Sequence, residues 1–333
     1  MERKKHILAA LTAAACLPYL TLKVLWLTGS HAGIPEDSHL LDGGAALWAL
    51  NALTVAMDSA VVLLALTLSR PWGRRVHGAL LALPLWVACG LLGPIVVAFP
   101  AQALHSALTG GSAMTDGDSG PQLLESWVWT LVYTGFIAQA VTLTALFVLY
   151  VRDRWGPLLC APLRTREGGA PAGARWALAC AALVVLPTVV AHTLWAAGVE
   201  AGVDTGRRST ATRLANATYV LYVLVAFAGT ARLLRQGGAR RPSTAARLWP
   251  ALTAAWVGTG VLACGGGWLL MGSLAGGALG GRATGGMMLA YTCQTLAGAV
   301  LAALGARELV RRTRPGPVPM REVRGAGAAP QSG

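Results

Sequence analysis

Apolar and polar positions along this chain fall into long alternating blocks. Eight apolar stretches of about 20 residues or more lie near 7–29, 45–69, 77–100, 125–151, 176–199, 211–234, 248–272 and 284–308. Polar connections between them carry most of the charge. Twenty helical residues, at about 1.5 Å each, cross roughly 30 Å of hydrocarbon. An open strand there would leave its backbone groups unsatisfied, so each stretch is predicted to be a transmembrane helix. The pattern predicts an all-α integral membrane protein with eight spans.

The pattern also repeats. Leu17-Pro18, Lys23, Trp26, Gly29 and Gly33 return 169 residues later as Leu186-Pro187, His192, Trp195, Gly198 and Gly202. Trp86-Val87 and Gly90 return as Trp256-Val257 and Gly260 at an offset of 170. Asn51, Arg70 and Tyr133-Thr134 have matches in Asn216, Arg235 and Tyr291-Thr292, with loop lengths absorbing the altered offsets. A duplication in this order predicts two tandem four-helix repeats, 1–155 and 176–310. Four is even, so both repeats enter the membrane from the same side. Residues 156–175, with Gly156-Pro157, Ala161-Pro162 and Gly168-Gly169-Ala170-Pro171, read as a cytoplasmic linker, and 311–333 as a disordered tail.

Composition agrees with membrane residence. The chain is 55% hydrophobic and 12% charged, with mean hydropathy +0.55, against about a quarter charged in soluble domains. The net charge of +13 suggests nucleic acid only until its distribution is examined. Of 27 Lys and Arg, 22 fall in alternate segments: Arg3 to Lys5, Arg70 to Arg75, Arg152 to Arg175, Arg232 to Arg247 and Arg307 to Arg324. The other connections collect the acids, among them Glu36, Asp37, Asp116, Asp118, Glu125, Glu200 and Asp204. This positive-inside pattern predicts a multi-pass plasma-membrane protein with both termini cytoplasmic, and no nucleic-acid partner. The first span is too long for a signal sequence, contains Pro18 and Lys23, and lacks a small-residue cleavage site, so it reads as a retained helix.

Several chemistries find no footing. The six cysteines form no CxxC pair, and no Gly-rich run carries the Lys and Ser/Thr of a phosphate loop. The outer connections hold His31, Glu36, Asp37, His39, Asp42, His105 and Asp116-Gly-Asp118, but exposed loops collect such residues without a metal. Neither metal nor cofactor is expected. Of twelve Trp, seven fall near predicted interfaces, where amphipathic rings normally sit. Trp26, Trp86, Trp195 and Trp256 fall deeper and occur as repeat-related pairs.

Polar groups inside spans are costly and point to function. On the second span Asn51, Thr54 and Asp58 share one helical face. Their matches are Asn216, Tyr219 and Val223, so the acid exists in one copy only. Asp58 should lie roughly 20 Å below the outer end of its span, level with Gln139 on the fourth. Lys23 and Asn51 should lie roughly 9 Å below that end, too far from Asp58 for a direct pair without tilt. An acid without a matched cation in hydrocarbon tends to hold its proton. Lys23, one turn before Trp26, becomes His192 before Trp195. The candidate catalytic residues are therefore Asp58, Gln139, Lys23 and His192. The candidate walls of a substrate cavity are Trp26, Asn51, Thr54, Trp86, Tyr133, Trp195, Asn216, Tyr219, Trp256, Tyr291 and Gln294.

A proton donor in an apolar pocket walled by Trp and Tyr suits carbocation chemistry, because ring faces stabilise developing positive charge. A lipophilic polyene could enter from the bilayer and be protonated at an alkene or epoxide. Ionising a diphosphate would instead need clustered aspartates for Mg²⁺, and no span carries such a run. Leu17-Pro-Tyr-Leu-Thr-Leu-Lys-Val-Leu-Trp26, Asn51-Ala-Leu-Thr54, Arg70-Pro-Trp-Gly-Arg74 and Pro84-Leu-Trp86 with Gly90-Leu-Leu-Gly93 resemble actinobacterial eight-span integral membrane proteins. In size and span number the chain is also similar to bacterial membrane-bound terpene cyclases that make drimane-like and indole-sesquiterpene skeletons. That resemblance implies isoprenoid cyclisation; the role of Asp58 as acid comes from the residues themselves. The alternative is a small-molecule transporter or resistance permease with Asp58, Lys23 and His192 as coupling site. A membrane scaffold or sensor is a third reading.

Overall fold

The computed structural model describes residues 2–111, 123–160, 171–199, 201–202, 209–234, 248–274 and 283–313. Among these the fold is helical, with no strand. Eight helices are long and apolar enough to cross a membrane: α1 Glu2–Leu27, α2 Gly44–Ser69, α3 Gly78–Thr109, α4 Ser126–Pro157, α5 Ala172–Ala196, α6 Thr210–Leu234, α7 Leu248–Leu274 and α8 Gly285–Arg311. The chain is a multi-pass membrane protein. Each apolar block of the sequence is one of these helices; α3 and α4 run furthest past their blocks, and α3 carries Pro84, Pro94 and Pro100 inside it. Among the expected elements, most of the linker (161–170), the loop holding Asp116 and Asp118, and the tail beyond 313 lie outside the described residues.

Two spans are interrupted for local reasons. α5 consists of Ala172–Val184 and Leu186–Ala196, joined at Val185, where Pro187 has no N–H to continue the ladder. α7 holds a π-helical segment, Val261–Gly265, between α-helical Leu248–Gly260 and Gly266–Leu274. Such a segment widens the helix locally and releases backbone groups to other partners.

The packing has a recurring plan. α1 packs on α2 and α4, and α3 packs on α2 and α4; α5 packs on α6 and α8, and α7 packs on α6 and α8. α2 meets α4 as α6 meets α8. Leu64, Leu68, Leu85, Leu143 and Leu146 fill the core of the first group. Val261, Leu262, Ala297 and Leu301 fill that of the second. The groups meet where α3 packs on α6 and α7 and α4 packs on α7. At this seam a Cβ on Gly90 would run into the Gly260 carbonyl, and one on Gly260 would crowd the Trp86 carbonyl. Helices in lipid gain from such close approach because lipid tails already solvate apolar side chains, leaving packing to drive association.

Candidate functional site

Two polar clusters occupy corresponding places in the two helix groups. Each begins at a helix end. α1 and α5 both finish in a glycine turn: Gly29 at φ +91° and Gly198 at φ +86°, conformations that cost glycine little. Ser30 N–H donates to the Leu25 carbonyl at 2.9 Å and Val199 N–H to the Leu194 carbonyl at 2.9 Å, the long bond of a Schellman cap. The following loop is then pinned by the buried face of the helix. The Trp26 indole N–H donates to the Ala32 carbonyl at 2.8 Å, and the Trp195 indole N–H to the Ala201 carbonyl at 3.0 Å.

One turn earlier sit the exchanged residues. Lys23 donates from Nζ to Asn51 Oδ1 at 2.7 Å. Its ammonium also lies over the Trp26 ring at 4.6 Å and the Tyr19 ring at 5.0 Å, a geometry in which ring quadrupoles stabilise the charge. Lys23 does not reach out along the surface; it is part of the cluster. In the second group His192 takes its place, with Nδ1 2.7 Å from Asn216 Oδ1. The His192 ring stacks on Tyr219 at 4.9 Å and meets Trp195 edge-on at 5.2 Å.

The clusters differ deeper in the helix bundles. Below Lys23, Thr54 turns its hydroxyl to the Asn51 carbonyl at 2.8 Å, and the Tyr19 hydroxyl lies beside Thr54. Next comes Asp58, only 6% exposed, accepting a long 3.4 Å bond from Gln139 Nε2 at Oδ1. Asp58 Oδ2 and Gln139 Oε1 are both buried with no hydrogen-bond partner. A buried polar atom left this way costs about 1–3 kcal/mol, so the pair is an energetic liability in the resting fold. Phe136 closes on Tyr19 edge-on at 4.9 Å, and Tyr133 stacks on Trp129 at 5.5 Å.

In the second group the polar requirements are met. His192 Nε2 lies 3.0 Å from Gln294 Oε1. Gln294 Nε2 donates to the Val261 carbonyl at 3.5 Å, at the start of the π-helical segment. Asn216 Nδ2 donates to the Thr212 carbonyl at 2.8 Å. Both amides thus spend their N–H groups on backbone and turn their oxygens to the histidine. A doubly protonated ring satisfies both oxygens; a singly protonated one does so only with one amide turned over. Tyr291 completes the aromatic collar, 6.0 Å from both His192 and Trp195. Where the first group has Asp58, this one has buried Val223.

The expected site residues therefore divide among three places. Lys23, Trp26, Asn51, Thr54, Asp58 and Gln139 share the first cluster, in the depth order the helix rise implied, with Tyr133 in the aromatic group on α4. His192, Trp195, Asn216, Tyr219, Tyr291 and Gln294 share the second. Trp86 and Trp256 belong to neither and sit at the seam. The Trp86 indole N–H donates to Thr259 Oγ1 at 3.2 Å, and the Trp256 ring stacks on Phe147 at 5.9 Å.

Tyr19, Phe136 and the buried face of α1 escaped the sequence reading. Lys5, Thr12, Cys16, Tyr19 and Lys23 follow one another at heptad-like spacing, which puts them on one face of α1. That spacing was the available signal. Lys5 pairs with Asp153 at 2.6 Å, and Thr12 Oγ1 bonds Thr142 Oγ1 at 2.9 Å. Polar groups thus extend well toward the N-terminal end of α1. No family profile, curated protein or solved structure matches the chain.

Proposed function

We propose that this chain is a plasma-membrane enzyme acting on a lipophilic isoprenoid-type substrate, with Asp58 as the proton donor of a class II-like terpene cyclisation. The arrangement is two tandem four-helix repeats of one orientation, with both termini cytoplasmic. The paired Schellman caps, the paired indole-to-loop bonds and the recurring neighbour plan support that arrangement. One observation carries the chemistry: Asp58 Oδ2 is buried among helices with nothing to bond. A carboxylic acid whose O–H is not already spent can direct it at an alkene or epoxide.

In such a reaction the Oδ2 proton passes to the alkene carbon or epoxide oxygen. The remaining alkenes close onto the cation, and the last cation returns a proton to the carboxylate. The product is an isomer of the substrate. Gln139 holds the carboxyl by Oδ1, leaving Oδ2 free. Tyr19, Phe136 and Tyr133 offer ring faces to positive charge. Lys23 donates to Asn51, about two helical turns before Asp58, and so is held in place as a fixed cation of the same cluster. Trp26 fixes the mouth of the cluster through Ala32, and Asn51 and Thr54 complete its polar side. No metal or cofactor takes part.

Isolated membranes given an epoxidised or prenylated isoprenoid are expected to yield a cyclised product of unchanged mass. Asp58→Asn is expected to abolish it while the protein still migrates as a folded species. An undiminished yield from Asp58→Asn would overturn the assignment.

A second reading is proton-coupled transport, favoured by the polar face of α1 from Lys5 to Lys23. It predicts gradient-dependent uptake of unaltered solute into proteoliposomes, and no isomerised product.

A further inference from the structure

The turn between α2 and α3 gathers positive charge on a fixed frame. Arg70, Arg74 and Arg75 follow one another closely, and Pro71–Arg75 forms a short 3₁₀ helix. Both neighbouring spans hold its backbone. A Cβ on Gly73 would run into the Thr67 carbonyl, so the turn folds back tightly against the end of α2. From α4 the Tyr150 hydroxyl donates to the Gly73 carbonyl at 3.2 Å, and Arg154 Nη1 donates to the Val76 carbonyl at 3.0 Å. Arg154 also donates to the Tyr150 hydroxyl and lies over the Trp155 ring at 5.0 Å. Lys5 ties α1 to the same end of α4 through Asp153 at 2.6 Å.

The 3₁₀ geometry sorts the side chains. Positions three apart eclipse one another, so Gly73 takes the inner face while Trp72 with Arg75, and Pro71 with Arg74, take two outer ones. Gly73 is buried, and Arg70, Trp72, Arg74 and Arg75 are exposed. Their charge is scarcely answered. Arg74 comes no closer than 3.8 Å to Asp153, whose Oδ2 already holds Lys5, and its side chain stays 62% exposed. Among the described residues neither Arg70 nor Arg75 has an ion-pair partner or a side-chain hydrogen bond. Apolar side chains flank the turn on both sides. Leu63 and Leu66, on the last two turns of α2, and Leu80 and Leu83, on the first two turns of α3, are all exposed. Lipid tails solvate such faces, and an exposed tryptophan at the end of a span sits at headgroup level.

We infer that this turn binds a phospholipid whose headgroup carries a net negative charge. Arg74 and Arg75 take the phosphate, Trp72 sits at the level of the esters, and the acyl chains lie along the exposed leucines of α2 and α3. Guanidinium forks match phosphate oxygens bidentately, and unanswered like charges on a rigid turn raise the local potential for an anion. A choline headgroup brings its own cation, which the three guanidiniums repel. A soluble phosphate meets the charge but has nothing to lay against the leucines. The site goes beyond the proposed function and shares no residue with the Asp58 cluster.

The test uses the full chain in detergent, offered equal amounts of phosphatidylglycerol and phosphatidylcholine with the same acyl chains. Native mass spectrometry should show phosphatidylglycerol as the first lipid retained, favoured about tenfold. Soluble glycerol phosphate should not displace it. Arg74→Gln with Arg75→Gln should erase the preference. Arg3→Gln with Lys4→Gln removes the same charge from the same end of the molecule and should leave the preference intact. None of these four side chains holds backbone, so both double variants should unfold at the native temperature. Four results would each overturn the inference: equal retention of the two lipids, displacement by glycerol phosphate, a preference that survives loss of Arg74 and Arg75, or an equal loss when Arg3 and Lys4 are replaced instead.

Discussion

The two clusters begin alike and end differently. Each has a cationic or cation-forming side chain at the same turn, a matched asparagine 2.7 Å away and a tryptophan pinned to the following loop. Around His192 no fully buried side-chain nitrogen or oxygen lacks a partner within hydrogen-bond distance. Around Asp58 two do. Natural folds tolerate such deficits where function needs them and compensate elsewhere. The second cluster has the character of a lock, the first that of a reagent.

The largest effect should come from breaking the lock. His192→Leu would leave Asn216 Oδ1 and Gln294 Oε1 buried and unanswered, at about 1–3 kcal/mol each. A loss of about 4 kcal/mol in detergent unfolding is expected, whereas Lys23→Met, which strands only Asn51 Oδ1, should lose about half as much. Equal losses would erase the distinction between the clusters. Asp58→Asn comes next, with product formation falling at least about 100-fold, as loss of a general acid implies. Asp58→Val installs the residue found at the matched position. It should also be inactive, yet of about native stability, because the unpaired Asp58 Oδ2 disappears while Gln139 Nε2 loses its acceptor. A destabilised Asp58→Val would mean that the carboxyl is structural. The smallest effect is expected of Trp86→Phe, which removes one neutral bond to Thr259 and should cost about 1 kcal/mol or less.

Much of this was legible in the sequence because hydrocarbon leaves so few options. Every apolar block had to be a helix, and the rise per residue set Lys23 beside Asn51 and Asp58 level with Gln139. The membrane does not dictate which faces meet. Depth and pairing singled out Trp86 and Trp256, but depth says nothing about rotation about the helix axis, and the structure sets both at the seam instead of in either cluster. Tyr19 and Phe136 lacked matches in the other copy, so a comparison of copies passed over them. The π-helical segment of α7 was equally hidden, since Val261-Leu-Ala-Cys-Gly265 carries no residue that forbids an ordinary α-helix.

That segment has a consequence for the length of α7. Its first carbonyl, at Val261, holds the Gln294 amide and so turns Gln294 Oε1 toward the histidine. Deleting Ala263 would let the stretch relax to α-helical pitch and draw that carbonyl back into the ladder. Gln294 would then be free to rotate and present its nitrogen, forcing a different tautomer on His192. A count of residues in one helix is thereby translated into the placement of a proton on another, and insertions or deletions along α7 should be far less tolerated than substitutions.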